Sequence, residues 1–297
     1  MVSVGVVDKV AEYFHRVHGP VDREQPFLLK CMQLMTCITN LHLRRNGRLD
    51  VFGTKKPLRE CDSHLETHLE SAFRATSLVN VVSLLYSILL HSGVPSRGSQ
   101  SPPPRLSSST INLAISGLRM LNHMALFHLP MFQSVLGDDA LSLEFRHIST
   151  YLLWYYSASQ AYSDEILTSL LHELLLTVGY FTVLNADHQT IIHSGHTPTL
   201  LQQLVTLPFP YFSDPRLTRV LFPTLIACCH NNKTNKTIIQ QEMSGQLLSD
   251  FLQKALQDDP ETDACCWESD PDWRWKTHFR FPRSRWSEAN EFFTKND

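Results

Sequence analysis

Several residue groups in this 297-residue chain have side chains suited to catalysis or metal binding. His172-Glu173 opens like the helix of a zinc protease, but position 176 is Leu where a second imidazole one turn on is required. Cys228-Cys229-His230 and Cys265-Cys266 set thiols side by side, without the two-residue spacer that lets two sulfurs face one tetrahedral ion. They read as core or incidental thiols. The chain has no glycine-rich phosphate loop, no Gly-x-Ser-x-Gly and no Gly-Lys-Ser/Thr, and its 15 histidines are scattered. These patterns point to no enzyme, no metal and no cofactor.

What remains is recognition chemistry, in three places. Asp250 to Asp272 carries eight acidic residues against one lysine, and Trp273 to Trp286 then carries five Lys/Arg, three Trp and two Phe with no acid. Aromatics interleaved with arginine stack on bases or grip a protein partner through Trp273, Trp275, Arg280, Arg283, Arg285 and Trp286. The same tryptophans could instead cover the end of a helical array while the arginines pair with the acidic run. The second place is the turn Leu207-Pro-Phe-Pro-Tyr-Phe-Ser-Asp-Pro215, which is either a packed corner or a protein-binding edge; its candidate contacts are Tyr211, Phe212, Arg216 and Arg219. Residues 44–64 are the third, a basic insertion whose Arg44, Arg45, Arg48, Lys55 and Lys56 could meet RNA or a partner.

The elements that position these groups are helices. Apolar residues recur at helical spacing nearly everywhere, and alternating strand-like runs are scarce, so the fold class is all-α. Ile166, Leu167, Leu170, Leu171, Leu174, Leu175 and Val178 form the densest stripe, and Ser163-Asp164-Glu165 supplies its cap and favourable charge. Thr190-Ile191-Ile192 recurs as Thr237-Ile238-Ile239, and Leu200-Leu201 with Leu204 recurs as Leu247-Leu248 with Phe251, both at a shift of 47 residues. That period is the armadillo/HEAT one, so the expected architecture is an armadillo/HEAT-like helical repeat solenoid. Pro223 should kink or split its helix, and Gly195 and Gly245 should allow tight turns between short helices. The chain reads as one domain over 1–297. Its parts are N-terminal helix pairs within 5–91, a Pro/Ser-rich loop at 95–109, repeats over 110–256 and an acidic then aromatic and basic cap over 257–297.

With 43% apolar and 19% charged residues and a formal charge of −3, the composition is that of a globular protein without a whole-molecule field toward nucleic acid. The odd set of seven cysteines fits reduced thiols in a cytosolic setting. No apolar run is long enough for a bilayer crossing, so no membrane insertion is expected. The N-terminus lacks signal-peptide features and reads as a helix cut from a longer protein. Sequons at Asn232 and Asn235 would matter only after secretion.

Gly19-Pro-Val-Asp22, Leu129-Pro-Met-Phe-Gln-Ser134, Leu141-Ser-Leu-Glu-Phe-Arg-His147, Val178-Gly-Tyr-Phe-Thr182, Leu207 to Arg216 and Val220-Leu-Phe-Pro-Thr-Leu-Ile-Ala227 together resemble the C-terminal region of the family of S-phase cyclin A-associated protein in the endoplasmic reticulum. The resemblance implies a cytoplasmic scaffold, peripheral to the endoplasmic reticulum, that acts in ribosome-coupled decay of tubulin messenger RNA. The partners it implies are cyclin A, a tetratricopeptide-repeat adaptor on the ribosome and the deadenylase complex. Where armadillo proteins carry an asparagine ladder for extended peptides, this chain has Tyr180 and Ala227. The expected role is therefore a protein-interaction scaffold, with a direct RNA-binding helical-repeat module as the alternative.

Overall fold

The computed structural model describes residues 4–17, 25–45, 51–52, 79–91, 105–159, 164–257 and 273–295, and every regular element among them is helical. The α-helices are α1 (Val4–Arg16), α2 (Gln25–Arg45), α3 (Val79–His91), α4 (Ser108–Phe127), α5 (Leu129–Leu136), α6 (Asp139–Ala158), α7 (Glu165–Thr182), α8 (Ala186–His193), α9 (Leu200–Val205), α10 (Pro210–Ser213), α11 (Pro215–Cys229), α12 (Lys233–Gln240), α13 (Gly245–Gln257), α14 (Thr277–Arg280) and α15 (Trp286–Thr294). None of them is long and apolar enough to cross a membrane. The chain groups into two compact units, Met1–Thr177 and Val178–Asp297.

In the first unit, α4 is buried almost all round and packs with α2, α3 and α5, the pattern of a central helix. It starts inside the expected Pro/Ser-rich loop, because Ser107 accepts the Thr110 amide (3.1 Å) and caps it. Leu106 is buried there, its amide donating to the Tyr155 hydroxyl (3.1 Å). Asp138 caps α6, and Asp164 caps α7 by accepting the amides of Ile166 and Leu167. Glu173, which the sequence pairs with His172 as a metal-helix fragment, is 2% exposed. Its carboxylate accepts Arg119 Nε (2.9 Å) and Asn122 Nδ2 (3.0 Å), and Thr177 donates to Asn122 Oδ1 (2.9 Å). Burying a carboxylate is tolerable only when it is paired in this way.

In the second unit the 47-residue shift relates hydrogen bonds as well as residues. Leu184 and Asn231 both sit in the left-handed region (φ 54 and 61). Asn185 and Asn232 follow as caps, accepting the amides of His188 (3.1 Å) and Asn235 (3.0 Å) and starting α8 and α12. His188 Nδ1 meets the Phe181 carbonyl (2.8 Å), as Asn235 Nδ2 donates to that of Cys228 (2.7 Å). Gln189 Nε2 reaches forward to the carbonyls of Ala227 (2.9 Å) and His230 (3.1 Å), as Lys236 Nζ reaches forward to that of Lys295 (2.6 Å). Ile192 and Ile239, like Leu201 and Leu248, are fully buried at matching positions.

Two glycines act differently from each other. Gly195 takes φ 98 in the loop after α8, a conformation a side chain would strain. Gly245 is buried in the first turn of α13, where a Cβ would stand 3.2 Å from the Phe293 carbonyl oxygen, so it serves close approach of α15 rather than a turn.

Leu184 is a non-glycine residue at positive φ with a half-exposed side chain. Since the left-handed region costs such a residue about 1–2 kcal/mol and asparagine tolerates it better, Leu184→Asn, which copies position 231, should stabilise by about 0.5–1 kcal/mol. Urea midpoints of parent and variant decide this, and a variant midpoint equal to or below the parent's would contradict strain at 184.

Candidate interaction surface

The C-terminal segment meets α11 through one arginine. Pro223 has no amide hydrogen, so the carbonyl of Arg219, four residues earlier, loses its helical donor. Yet α11 is not split there and runs from Pro215 through Pro223 to Cys229. Arg280 supplies the missing donor, with Nη1 at 2.9 Å from the Arg219 oxygen and Nη2 bonded to Thr224 Oγ1. Arg280 is 2% exposed. Burial pulls its guanidinium down to about 10, opposed by the nearby Tyr180 and Cys228, so it keeps its charge at neutral pH.

Around this anchor the segment is buried in the unit. Phe279, Phe281, Trp286, Ala289 and Phe293 are all buried, with α14 against α11 and α15 against α13. Trp286 Nε1 donates to the Phe281 carbonyl (3.0 Å). Arg283 lies over the Trp286 ring (5.4 Å) and Arg274 over that of Trp275 (5.5 Å), which is half-buried. Arg285 donates to Glu288 (2.7 Å), which also accepts Asn231 Nδ2 (2.8 Å). Most of the tail's aromatic and basic groups are thus engaged inside the second unit. The side chain of Trp273 lies outside the described residues, as do Arg48, Lys55 and Lys56 and the side chains of Arg44 and Arg45.

The turn after α9 presents one aromatic outward. Leu207 and Tyr211 are buried (4% and 3% exposed) and pin the turn at both ends, whereas Phe209 between them is 77% exposed. Tyr211 is therefore a core residue, and Phe212, half-buried, lies 6.4 Å from the Phe222 ring. Sequence reasoning passed over Phe209; a proline-rich turn has no fixed period to show which of its aromatics faces water. Arg216 is exposed and tied to Asp214 (3.0 Å), whose carboxylate also caps α11 through the Arg216 amide (2.8 Å). That guanidinium and then that amide hold Asp214 below its ordinary value. Arg219 is exposed, and among the described residues its carbonyl accepts from Arg280.

The thiols are placed against chemistry. Burial pushes Cys228 up to about 12 and Cys229 well above its ordinary value, so neither supplies thiolate at neutral pH. Among the described residues, no group of three or more His, Cys, Asp and Glu side chains is arranged to hold a metal ion. In the first unit Arg105, Leu106, Ile111, Tyr155 and Leu167 help line a cavity of about 360 Å³. The Asp164 carboxylate at that cavity is spent on capping α7.

These features define an all-helical protein whose buried polar groups hold helix ends and crossings together. No protein-family model matches the chain. Over an alignment of 305 residues that takes in all of the chain, it is 39% identical to S phase cyclin A-associated protein in the endoplasmic reticulum from Homo sapiens. The chain spans 21% of that protein's length. The resemblance carried by the motifs is thereby borne out.

Two measurements test the tail anchor and the buried histidines. Arg280→Met should cost about 2–4 kcal/mol, because it leaves the Arg219 carbonyl and the Thr224 hydroxyl unserved. In a Pro223→Ala background, where residue 223 regains an amide, the cost should shrink by about 1 kcal/mol or more; additive effects in the double-mutant cycle would break the link between proline and arginine. Burial holds His188 and His230 below the ordinary 6.5, with the Phe181 carbonyl opposing it at His188 and Glu288 at His230. The unfolded chain then takes up protons first, so stability is whole above pH 6.5 and falls as the pH drops below it. Replacing His230 with Phe should flatten that fall below pH 6.5, and a slope unchanged by the replacement would remove His230 from the account.

Proposed function

We propose that the chain is a non-enzymatic docking module of armadillo/HEAT repeat type, part of a scaffold that associates with cyclin A at the endoplasmic reticulum. One observation carries the architecture: the left-handed residue, asparagine cap, carbonyl-bonded side chain and forward-reaching side chain all recur at one 47-residue shift, which is a repeat-protein period. Repeat units leave an apolar face that a neighbour must cover. The buried tail fits the place of such a neighbour, since Lys236 reaches into it as Gln189 reaches into α11.

The similar human protein is named for cyclin A association and for the endoplasmic reticulum, and the resemblance extends the proposal to ribosome-coupled decay of tubulin messenger RNA. In that role the module docks a tetratricopeptide-repeat adaptor and the deadenylase complex. Protein docking is favoured over RNA binding by the tail's own cations: Arg280 is buried, Arg285 is paired, and Arg283 and Arg274 lie on rings. A non-enzymatic role is supported by the neutral, buried thiols.

Affinity capture on the purified chain from cytosolic extract, with and without ribonuclease, should retain cyclin A and deadenylase subunits under both conditions. Retention that vanishes with ribonuclease would favour RNA contact, and absence of all these proteins would remove the proposed role.

A further inference from the structure

Phe209 is the most exposed of the large apolar side chains in the described residues, at 77%, and its turn is stiffened by Pro208 and Pro210 and anchored by buried Leu207 and Tyr211. Leaving a Phe side chain in water forgoes the stabilisation that burial would give, and a rigid turn cannot fold it away. The aromatic surface continues beyond the turn. Phe212 stands 6.4 Å from Phe222, and Phe222 stands 5.5 Å edge-on to Phe251 of α13. Phe212 and Phe251 are half-buried, Phe222 is the covered floor between them, and Leu247, one turn before Phe251, is 39% exposed.

Arg219 and Lys254 border this strip, with two carboxylates beside them: Asp214, which holds Arg216, and Asp250, which accepts the Gln246 side-chain amide (2.7 Å). Arg219 precedes Phe222 by three residues and Lys254 follows Phe251 by three, so each cation lies on the same helix face as its aromatic neighbour. Both are exposed, and among the described residues no carboxylate pairs with either. Arg216, a turn before Arg219, is already neutralised by Asp214. An exposed aromatic anchor beside an exposed arginine is the composition of a protein-binding hot spot.

We propose that Phe209, Phe212, Phe251 and Leu247, bordered by Arg219 and Lys254, form a docking strip for an acidic, apolar segment of a partner protein. Carboxylates on that segment meet the two cations, and its aliphatic or aromatic side chains cover the phenyl rings. RNA fits less well, because Asp214 stands at the strip's edge and four of its six members carry no charge. This strip gives a binding face to the docking role proposed above and rests on that reading.

The test uses the full chain and a fluorescent synthetic peptide that alternates Asp or Glu with Leu and Phe, read by anisotropy. The acidic peptide should bind at least about tenfold more tightly than a counterpart with Lys in place of each acid, a difference of about 1.4 kcal/mol. Phe209→Ala and Arg219→Glu should each weaken it about tenfold without moving the melting temperature, since both side chains are exposed. Raising salt should weaken it further. No binding, equal binding of the two peptides, or indifference to Phe209→Ala would overturn the proposal. So would stronger binding of single-stranded RNA that depends on Arg219 but not on Phe209. Binding that appears only after Asp258, Asp259, Glu261 and Asp263 become amides would assign the strip to this chain's own acidic stretch and likewise overturn it. If the peptide fails while cyclin A is still captured, the strip is wrong and the docking role stands; the reverse outcome keeps the strip and removes the role.

Discussion

A helix that contains a proline needs one hydrogen-bond donor its own backbone cannot supply, and the C-terminal part of this protein is arranged around meeting that need. The Arg219 carbonyl faces a position where Pro223 offers no hydrogen, and the donor comes from Arg280. A hydroxyl or an indole would have served one acceptor. Guanidinium serves two at once, taking Thr224 as well, and its rigid fork fixes how residues 279–281 lie on α11. With Arg280 seated, its neighbours Phe279 and Phe281 are carried into the core, and the Phe281 carbonyl is placed to receive the Trp286 indole. Desolvating the cation is costly, and the two hydrogen bonds together with the apolar burial around them offset that cost.

Thr224 has a second neighbour that depends on sterics rather than hydrogen bonding. A Cβ at Gly179 would approach its Oγ1 to 3.0 Å, so the last turn of α7 comes close against α11 with no side chain at 179 between them. Three residues on, the Thr182 hydroxyl lies 3.5 Å from Cys228 Sγ. The forward-reaching side chains then tie successive stretches: Gln189, with an amide that bonds two carbonyls, and Lys236, whose ammonium meets the carbonyl just beyond α15 and lies 5.0 Å from the Phe292 ring. A cation suits the second position because the end of a helix presents partial negative charge.

Periodicity made the helical class legible, and the cap at Asp164 could be read from residue type alone. The 47-residue shift was legible from isoleucine and leucine pairs, but its polar members were not, because Gln189 matches Lys236 and His188 matches Asn235 without chemical likeness. Their equivalence lies in which carbonyl each one meets. The candidate surface was half legible. Arg280 counts in sequence as one of five exchangeable cations, and only the helix geometry around Pro223 singles it out for burial. The turn was recognised as a possible binding edge, yet its outward residue is Phe209 and its inward one Tyr211. The division after Thr177 falls inside the strongest apolar stripe, where no composition change marks it.

The adjacent thiols Cys228 and Cys229 make the second unit its own recorder of breathing. Both are fully covered and held protonated, so an alkylating reagent finds no thiolate while α11 stays packed. Each transient opening restores an ordinary thiol to water, and irreversible capture there counts that event. The rate of labelling at these two sulfurs, followed by mass, therefore reads the opening free energy of the unit's core helix directly, without any introduced probe.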